Sequence, residues 1–399
     1  VNAARVVVAG GITAALCGVF AAAFLLSLDI VTTTRSTFPL LIWCLPVIGL
    51  LLGAAIDRFG TAAAPGMSLV IDGLVDGTAL PPRLAPQVVV GTLLTHLGGG
   101  SAGREGTAVQ MGAGTAELVA RRFHVVDATA RRVVITAGVA AGFGAVFGTP
   151  WAGALFAIEV PVVRRLQLKL APIAVMAALL GDVVARACGA THTSLPQPPL
   201  LTLSVDVFAR WCAVAVVVAA VTIAFVVALR ELKRLGERHI PARGVRLALG
   251  GVVVVVLWRA WGDDTVLGLG VPSIVASLDG SPVSPMYWLA KFATTVVTVG
   301  SGFVGGEVTP LFGIGASLGQ ALSSLVGLPS TLTAAVCMCA LLAAATRTPL
   351  AVVVMALELF GATVWPHVLV VVVVAAVLAA RFGIYGAQRS PTTDAMQQR

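Results

Sequence analysis

The chain has 399 residues, a formal net charge of +8 and a mean hydropathy of +0.98, with 58% of residues hydrophobic and only 11% charged. Soluble domains carry roughly 25% charged residues, so this composition excludes an ordinary water-soluble enzyme and defines an integral membrane protein. The positive excess does not imply nucleic acid: Lys and Arg gather beside the apolar runs, as in RELKRLGERHIPARGVR, which is the positive-inside pattern of cytoplasmic membrane loops.

In chain order, apolar runs cover 5–28, 38–56, 133–160, 208–229, 247–261 and 366–380. At ~1.5 Å per residue several can cross the hydrocarbon core as helices. The first has no convincing small-residue cleavage site at its end, so it is read as a retained helix and not as a signal peptide. The runs 88–97 and 331–345 are shorter or are interrupted by Gly and Pro. Such broken pieces persist in lipid only where protein or a wet cavity satisfies their backbone. The basic segment quoted above is expected in the cytoplasm, and 191–206 and 262–285, which contain no Lys or Arg, on the outer face. The C-terminal end, with Arg381, Arg389 and Arg399, is expected to return inside. Six cysteines, at 17, 44, 188, 212, 337 and 339, lie mostly in apolar stretches without CxxC spacing and read as packing residues. Neither a metal nor a cofactor is expected, because HExxH and P-loop patterns are absent and none of the five histidines (96, 124, 192, 239, 367) is spaced as a metal pair.

The chain resembles itself at an offset of about 200 residues. TPWAGALFAIE (149–159) aligns without a gap on TPLAVVVMALE (348–358), sharing Thr-Pro, two alanines and the closing Glu. Near the same offset GREGTAVQMGA (103–113) falls on GEVTPLFGIGA (306–316), sharing the first Gly and the final Gly-Ala. Two matches in one order predict two repeats, 1–205 and 206–399. Inverted repeats with broken helices are a recurrent transporter plan, in which helix N-termini meet near the midplane. Each Gly-rich copy runs from a flexible loop into a helical stretch, and a helix N-terminus attracts anions through free N–H groups and partial positive charge. Two such ends converging make an anion site without a lysine.

With these motifs in order the chain resembles the CLC family of anion channels and proton-coupled anion antiporters. The resemblance rests on GREGT (103–107) for the family's GREGP or GKEGP, GGEVTP (305–310) for its GGIFAP, and FGTPWAGALFAIE (147–159) for its NAPLAG…FxxE stretch. GLGVPSI (268–274) and RFGIYGAQ (381–388) sit where the family has an outer loop and a tyrosine-bearing last helix. The resemblance implies an all-α polytopic membrane protein of the CLC-type fold, with two inverted-topology repeats and discontinuous helices. It also implies a homodimer with one pathway per subunit, placed in a bacterial inner membrane. Since the chain stops soon after Tyr385, no appended cytoplasmic regulatory domain is expected.

By the same resemblance Glu105 is the gating glutamate, whose carboxylate occupies the anion site in place of the anion and leaves when protonated. An ionisable group at membrane depth is costly unless it works in a pathway or is paired; the competing reading is an Arg104–Glu105 pair facing a wet loop. Arg104 is expected to be mainly structural. The implied anion-binding set is Gly66, Met67, Gly103, Arg104, Gly106, Thr107, Gly306, Glu307, Val308, Thr309 and Tyr385. Tyr385 has a second reading, that of an interfacial aromatic.

Departures from the usual family pattern carry the substrate. GMSLV (66–70) places Met67 where most members have an anion-contacting serine, and a thioether donates no hydrogen bond. EVTP introduces Glu307 and Thr309, and GREGT has Thr107 in place of proline. These changes resemble the fluoride/proton antiporters of the family, which implies export of fluoride in exchange for protons and hence fluoride resistance. Thr107 and Thr309 are expected to supply hydroxyl donors. Glu307 is read either as a carboxyl that is neutral or turned aside when fluoride binds, or as a cap on free helix N–H groups. Many antiporters follow the FxxE glutamate with a second, proton-accepting one, but here Val160 follows Glu159. A transporter of chloride or another halide is the nearer alternative. A remote one, of another class, is an intramembrane serine hydrolase built on Ser317 of GASLG.

Overall fold

The structure is a computed structural model describing residues 3–60 and 66–390; Arg399, expected on the inner side, lies outside the described residues. Among them the chain forms sixteen α-helices. The first eight are α1 (Ala3–Thr37), α2 (Leu45–Phe59), α3 (Met67–Asp76), α4 (Leu84–Leu97), α5 (Glu105–Arg122), α6 (Ala128–Phe147), α7 (Pro150–Glu159) and α8 (Ala171–Ala187). The others are α9 (Val205–His239), α10 (Arg243–Trp261), α11 (Val271–Asp279), α12 (Tyr287–Ser301), α13 (Val308–Val326), α14 (Ser330–Thr346), α15 (Pro349–Phe360) and α16 (Trp365–Leu378). Six stretches are long and apolar enough to cross a membrane, among them α1, α6, α9 and α10.

The apolar run 133–160 is broken into α6 and α7. Gly148 takes a left-handed backbone (φ 74°) and its N–H closes on Gly144 O, while Pro150 starts the next helix. Left-handed glycine ends helices at little steric cost, and proline suits the first helical turn. Arg347 (φ 56°) and Pro349 break α14 from α15 in the same way. Hydrophobicity alone cannot register such a break, because both pieces remain buried.

Two large apolar cores follow the two halves of the chain. One takes residues of α1 and α3–α8 together with Ala351 and Tyr385; the other takes residues of α9 and α11–α16 together with Ala152. Glycine lets the inner helices touch backbone to backbone in both. A Cβ added to Gly112 of α5 would meet Gly138 O of α6 at 2.1 Å, and one on Gly319 of α13 would meet Thr333 O of α14 at 2.3 Å. Without a hydrophobic drive between helices in lipid, this close approach through small residues is how they pack.

The outer loop containing GLGVPSI is tied down by charge. Lys291 of α12, fully buried, donates to Val266 O (3.1 Å), Leu267 O (3.5 Å) and Gly268 O (2.7 Å). Arg35 at the end of α1 bridges to Asp264 at 3.1 Å. Of the cysteines, Cys44 and Cys188 are exposed, which corrects the reading of these two as packing residues; all six are free.

Candidate functional site

Three helices begin at one place. Met67, Glu105 and Val308 are the first residues of α3, α5 and α13, and Gly66, Met67, Gly106 and Glu307 line a common cavity. Unpaired N–H groups and partial positive charge therefore converge there. The two glycine loops are joined directly: Gly103 N–H donates to Gly306 O (2.5 Å) and Gly306 N–H to Gly103 O (2.8 Å). No larger residue fits at this crossing, since a Cβ on Gly306 would stand 2.7 Å from Gly106 N.

Glu105 leaves its own helix and sits on the start of the other one. Its carboxylate accepts the Thr309 N–H (3.2 Å) and the Thr309 hydroxyl (2.7 Å to Oε1, 2.5 Å to Oε2). The Arg104 N–H donates to Oε2 at 3.2 Å, and the Arg104 Nε lies 3.5 Å from Oε1. The side chain is only 2% exposed. A carboxylate held by backbone N–H, hydroxyl and guanidinium is a bound anion that happens to be attached to the protein.

Two cavities flank this seat. The inner one, about 190 Å³, is lined near the seat by Gly106, Gln110, Glu307, Met67 and Tyr385, and farther away by charged residues of α9 and α10. The outer one, about 500 Å³, is lined by Arg104, Asp29 of α1 and residues 188–193, including His192. Arg104 and Gly106, the neighbours of Glu105, open on different cavities. A carboxyl group at this position stands between the two.

Several expected site residues take other places. The Thr107 hydroxyl is 2.6 Å from the Thr92 hydroxyl of α4, so it braces α4 against α5 and does not line the inner cavity. The Val308 side chain is buried in the second core, leaving only its backbone at the helix start. Tyr385 is not in the last helix: α16 ends at Leu378, and the segment after it is held by long-range bonds such as Ile384 N–H to Ala345 O (2.9 Å) in place of helical ones. Glu307 stands at the N-cap of α13, where its carboxylate bonds its own backbone N–H and caps no later residue of the helix, and the residue lines the inner cavity. Arg104, read as mainly structural, has its guanidinium beside the Glu105 carboxylate and on the outer cavity.

Sequence reading missed Gln110. One and a half turns along α5 from Glu105, it donates Nε2 to Gly106 O (3.1 Å), while its Oε1 is buried without a partner among the described residues. The available signal was an amide inside an apolar helix, which is expensive there unless used. Ser317, by contrast, lies well inside α13 and donates to Gly313 O at 2.6 Å, with no strand-to-helix elbow around it. That geometry removes the support for a serine nucleophile.

Broken helices whose tips meet around a buried carboxylate, with a cavity on each side, define a multi-pass membrane protein built to pass anions. Residues 48–380 match the family described as voltage gated chloride channel, and the chain belongs to that family. It is 40% identical to the chloride/fluoride channel protein of Pseudomonas syringae pv. tomato, over 95% of this chain and 85% of the relative. Among solved structures, a CLC-type fluoride/proton antiporter superposes with a TM-score of 0.93 at 34% identity, covering 96% of this chain and 98% of that one. A slow cyanobacterial Cl⁻/H⁺ antiporter superposes with a TM-score of 0.82 at 20% identity, covering 99% of both chains, and shares the fold.

Proposed function

We propose that this protein exports fluoride in exchange for protons moving inward, with Glu105 as the group that both ions use. The observation that carries this reading is the seat of the Glu105 carboxylate on the Thr309 N–H and hydroxyl. Ionised, the carboxylate fills the seat. Protonated, it is a weaker acceptor by about half, and an anion takes its place. One proton entering and one anion leaving the same donors is the physical form of exchange.

The seat favours fluoride over chloride through its donors. Fluoride is small and tightly hydrated, so its site must return short, strong hydrogen bonds, and the Thr309 hydroxyl reaches within 2.5 Å of the carboxylate oxygen that now occupies it. Met67, with no donor, lies in the same lining as Glu307 and Tyr385. The relatives named as handling fluoride support the same substrate. The test is efflux from proteoliposomes followed with fluoride- and chloride-selective electrodes while proton movement is recorded. Fluoride-driven proton uptake with little chloride flux is expected; equal flux of both halides, or fluoride flux with no proton movement, overturns the reading.

The division into inverted repeats, 1–205 and 206–399, is supported by the two cores, by the equivalent starts of α5 and α13, and by the paired glycine loops. Assembly as a homodimer in a bacterial inner membrane follows from the family. A crosslinked dimer on gels of the membrane-embedded protein, absent when the protein is diluted in detergent, tests it; a monomer in the bilayer refutes it.

A further inference from the structure

We propose that Gln110 positions the gate on the inner side of its seat: once fluoride takes the Thr309 donors, Gln110 Oε1 accepts the acid hydrogen of the protonated Glu105 and holds that neutral side chain at the inner cavity. The proposal rests on the antiport reading above, in which Glu105 leaves its seat carrying a proton.

Gln110 offers an acceptor without a donor. The residue is only 7% exposed, its Oε1 is buried with no partner among the described residues, and it lines the inner cavity with Gly106, Glu307 and Tyr385. The amide is held one way round. Nε2 donates to Gly106 O at 3.1 Å, and the reversed amide would set Oε1 against that carbonyl, acceptor against acceptor. The same bond folds the side chain back by one turn of α5, which brings its tip level with Gly106, the residue next to Glu105. An unmatched acceptor buried in this way destabilises the fold, and native structures hold few of them.

Glu105 supplies the complementary lack. Its seat is built of donors: the Thr309 N–H and hydroxyl and the Arg104 N–H. A carboxyl group that gains a proton becomes a donor itself, and a seat whose donors have turned to fluoride gives it nothing to bond. Glu307, the other carboxyl group in the lining, already bonds its own backbone N–H. An amide oxygen accepts a hydrogen bond without taking the proton, so the proton stays on Glu105 until a water molecule removes it. The resulting carboxylate and Gln110 Oε1 are both acceptors and separate, which returns Glu105 to the Thr309 donors when fluoride has gone. One proton passes from Glu105 to water, and no other covalent bond changes.

The experiment is infrared difference spectroscopy of the purified protein with and without fluoride at acid pH, on wild type, Glu105→Gln, Glu307→Gln, Q110M and Q110L. Thermal midpoints and proton-coupled fluoride flux in proteoliposomes are measured alongside. Methionine keeps much of the side-chain length and removes the amide; leucine is a second apolar replacement. Fluoride should raise a protonated-carboxyl band that is absent in Glu105→Gln and present in Glu307→Gln. In Q110M and Q110L that band moves to higher frequency, because its hydrogen bond is lost. Both variants lower the saturating exchange rate about threefold to tenfold, the size of one hydrogen bond. Their fluoride KM stays that of the wild type, and their thermal midpoint equals or exceeds it because the unmatched acceptor is gone. A band that keeps its wild-type position in both variants, or that is lost in Glu307→Gln instead, overturns the assignment. So does a fall in stability together with rate, as a merely structural amide gives, or a raised KM with the saturating rate kept, as an anion contact gives. Wild-type protein that shows no protonated-carboxyl band with fluoride and moves no protons sinks the antiport reading instead, a result distinguishable from all of these.

Discussion

Glu159 and Glu358 cap each other's helices. The Glu159 carboxylate, at the end of α7, accepts Leu350 N–H (3.0 Å) and Ala351 N–H (2.7 Å) at the start of α15. The Glu358 carboxylate, near the end of α15, accepts Trp151 N–H (3.0 Å) and Ala152 N–H (2.8 Å) at the start of α7. Each short helix thus has its free N–H groups satisfied by the other. Ala152 and Ala351, two of the residues so capped, each belong to the core of the opposite half.

Loss of either cap costs about 0.5–2 kcal/mol, and the two should cost alike. Glu159→Ala and Glu358→Ala are expected to lower the thermal midpoint in detergent by similar amounts while proton-coupled flux continues in the protein that remains folded. A Glu159→Ala variant that folds at the wild-type midpoint yet exchanges no protons would instead make Glu159 part of the proton route.

Much of this was legible because the two copies of each motif were preserved where backbone geometry permits little else. The TPxA…E pair marks a helix start and the glutamate that caps the other copy's helix, and Gly103 and Gly306, equivalent in the self-alignment, bond to each other. What the sequence could not show was where side chains go once helices are packed. Thr107 is one residue past Gly106 yet its hydroxyl serves α4, since a helix turns it away from the cavity. The family resemblance places Tyr385 in a last helix, but α16 ends at Leu378 and the segment that carries Tyr385 is held by bonds to Ala345 and Pro161 far away in the chain, which no local pattern reveals. The break within 133–160 was hidden for the same reason: both pieces are apolar, and only Gly148 and Pro150 separate them.

Gly306 tests the crossing of the two loops. In Gly306→Ala the new methyl lies 2.7 Å from Gly106 N and 3.2 Å from Gly106 Cα, both backbone atoms at the start of α5. Overpacking of this kind typically costs about 1–3 kcal/mol, and here it also displaces the donors of the seat. The variant should show fluoride flux reduced by at least about tenfold, with near-UV circular dichroism read alongside to show that the fold persists. Wild-type flux in Gly306→Ala would mean that the loops do not need to touch.

Glu105→Gln removes the proton from the exchange. Glutamine fills nearly the same volume but neither ionises nor gains a proton, so the seat can no longer be vacated by protonation. Proton movement driven by a fluoride gradient should fall to the level of empty liposomes, at any external pH between 5 and 8. Fluoride-driven proton pumping that survives in this variant removes Glu105 from the gate.

Thr309 and Thr107 should separate cleanly. A hydrogen bond to a charged acceptor contributes about 1.5–3 kcal/mol, so Thr309→Val should weaken apparent fluoride affinity about tenfold to a hundredfold, with Thr309→Ser recovering most of it. Thr107→Val loses only the bond to Thr92 and should lower thermal stability by about 1 kcal/mol while the fluoride-to-chloride ratio is kept. A reversal, with selectivity lost in Thr107→Val and retained in Thr309→Val, would place the anion on the α5 side of the seat.

On the proposed fluoride reading, the charge of Glu307 sets the field that a bound fluoride meets in the inner cavity. It stands at the N-cap of α13 without capping, lines the cavity with Tyr385 and Met67, and takes the field of Lys233. Two negative groups in one small cavity repel, whereas a neutral carboxyl group can donate its proton to an anion. Glutamine keeps a donor and removes the charge, so Glu307→Gln should preserve selective fluoride flux within about threefold, a difference of about 0.6 kcal/mol on the scale of 1.4 kcal/mol per tenfold. Glu307→Ala, with no donor, should lose it. If Glu307→Gln is as inactive as Glu307→Ala, an amide donor does not substitute for the carboxyl group, and the neutral-donor reading of Glu307 is overturned.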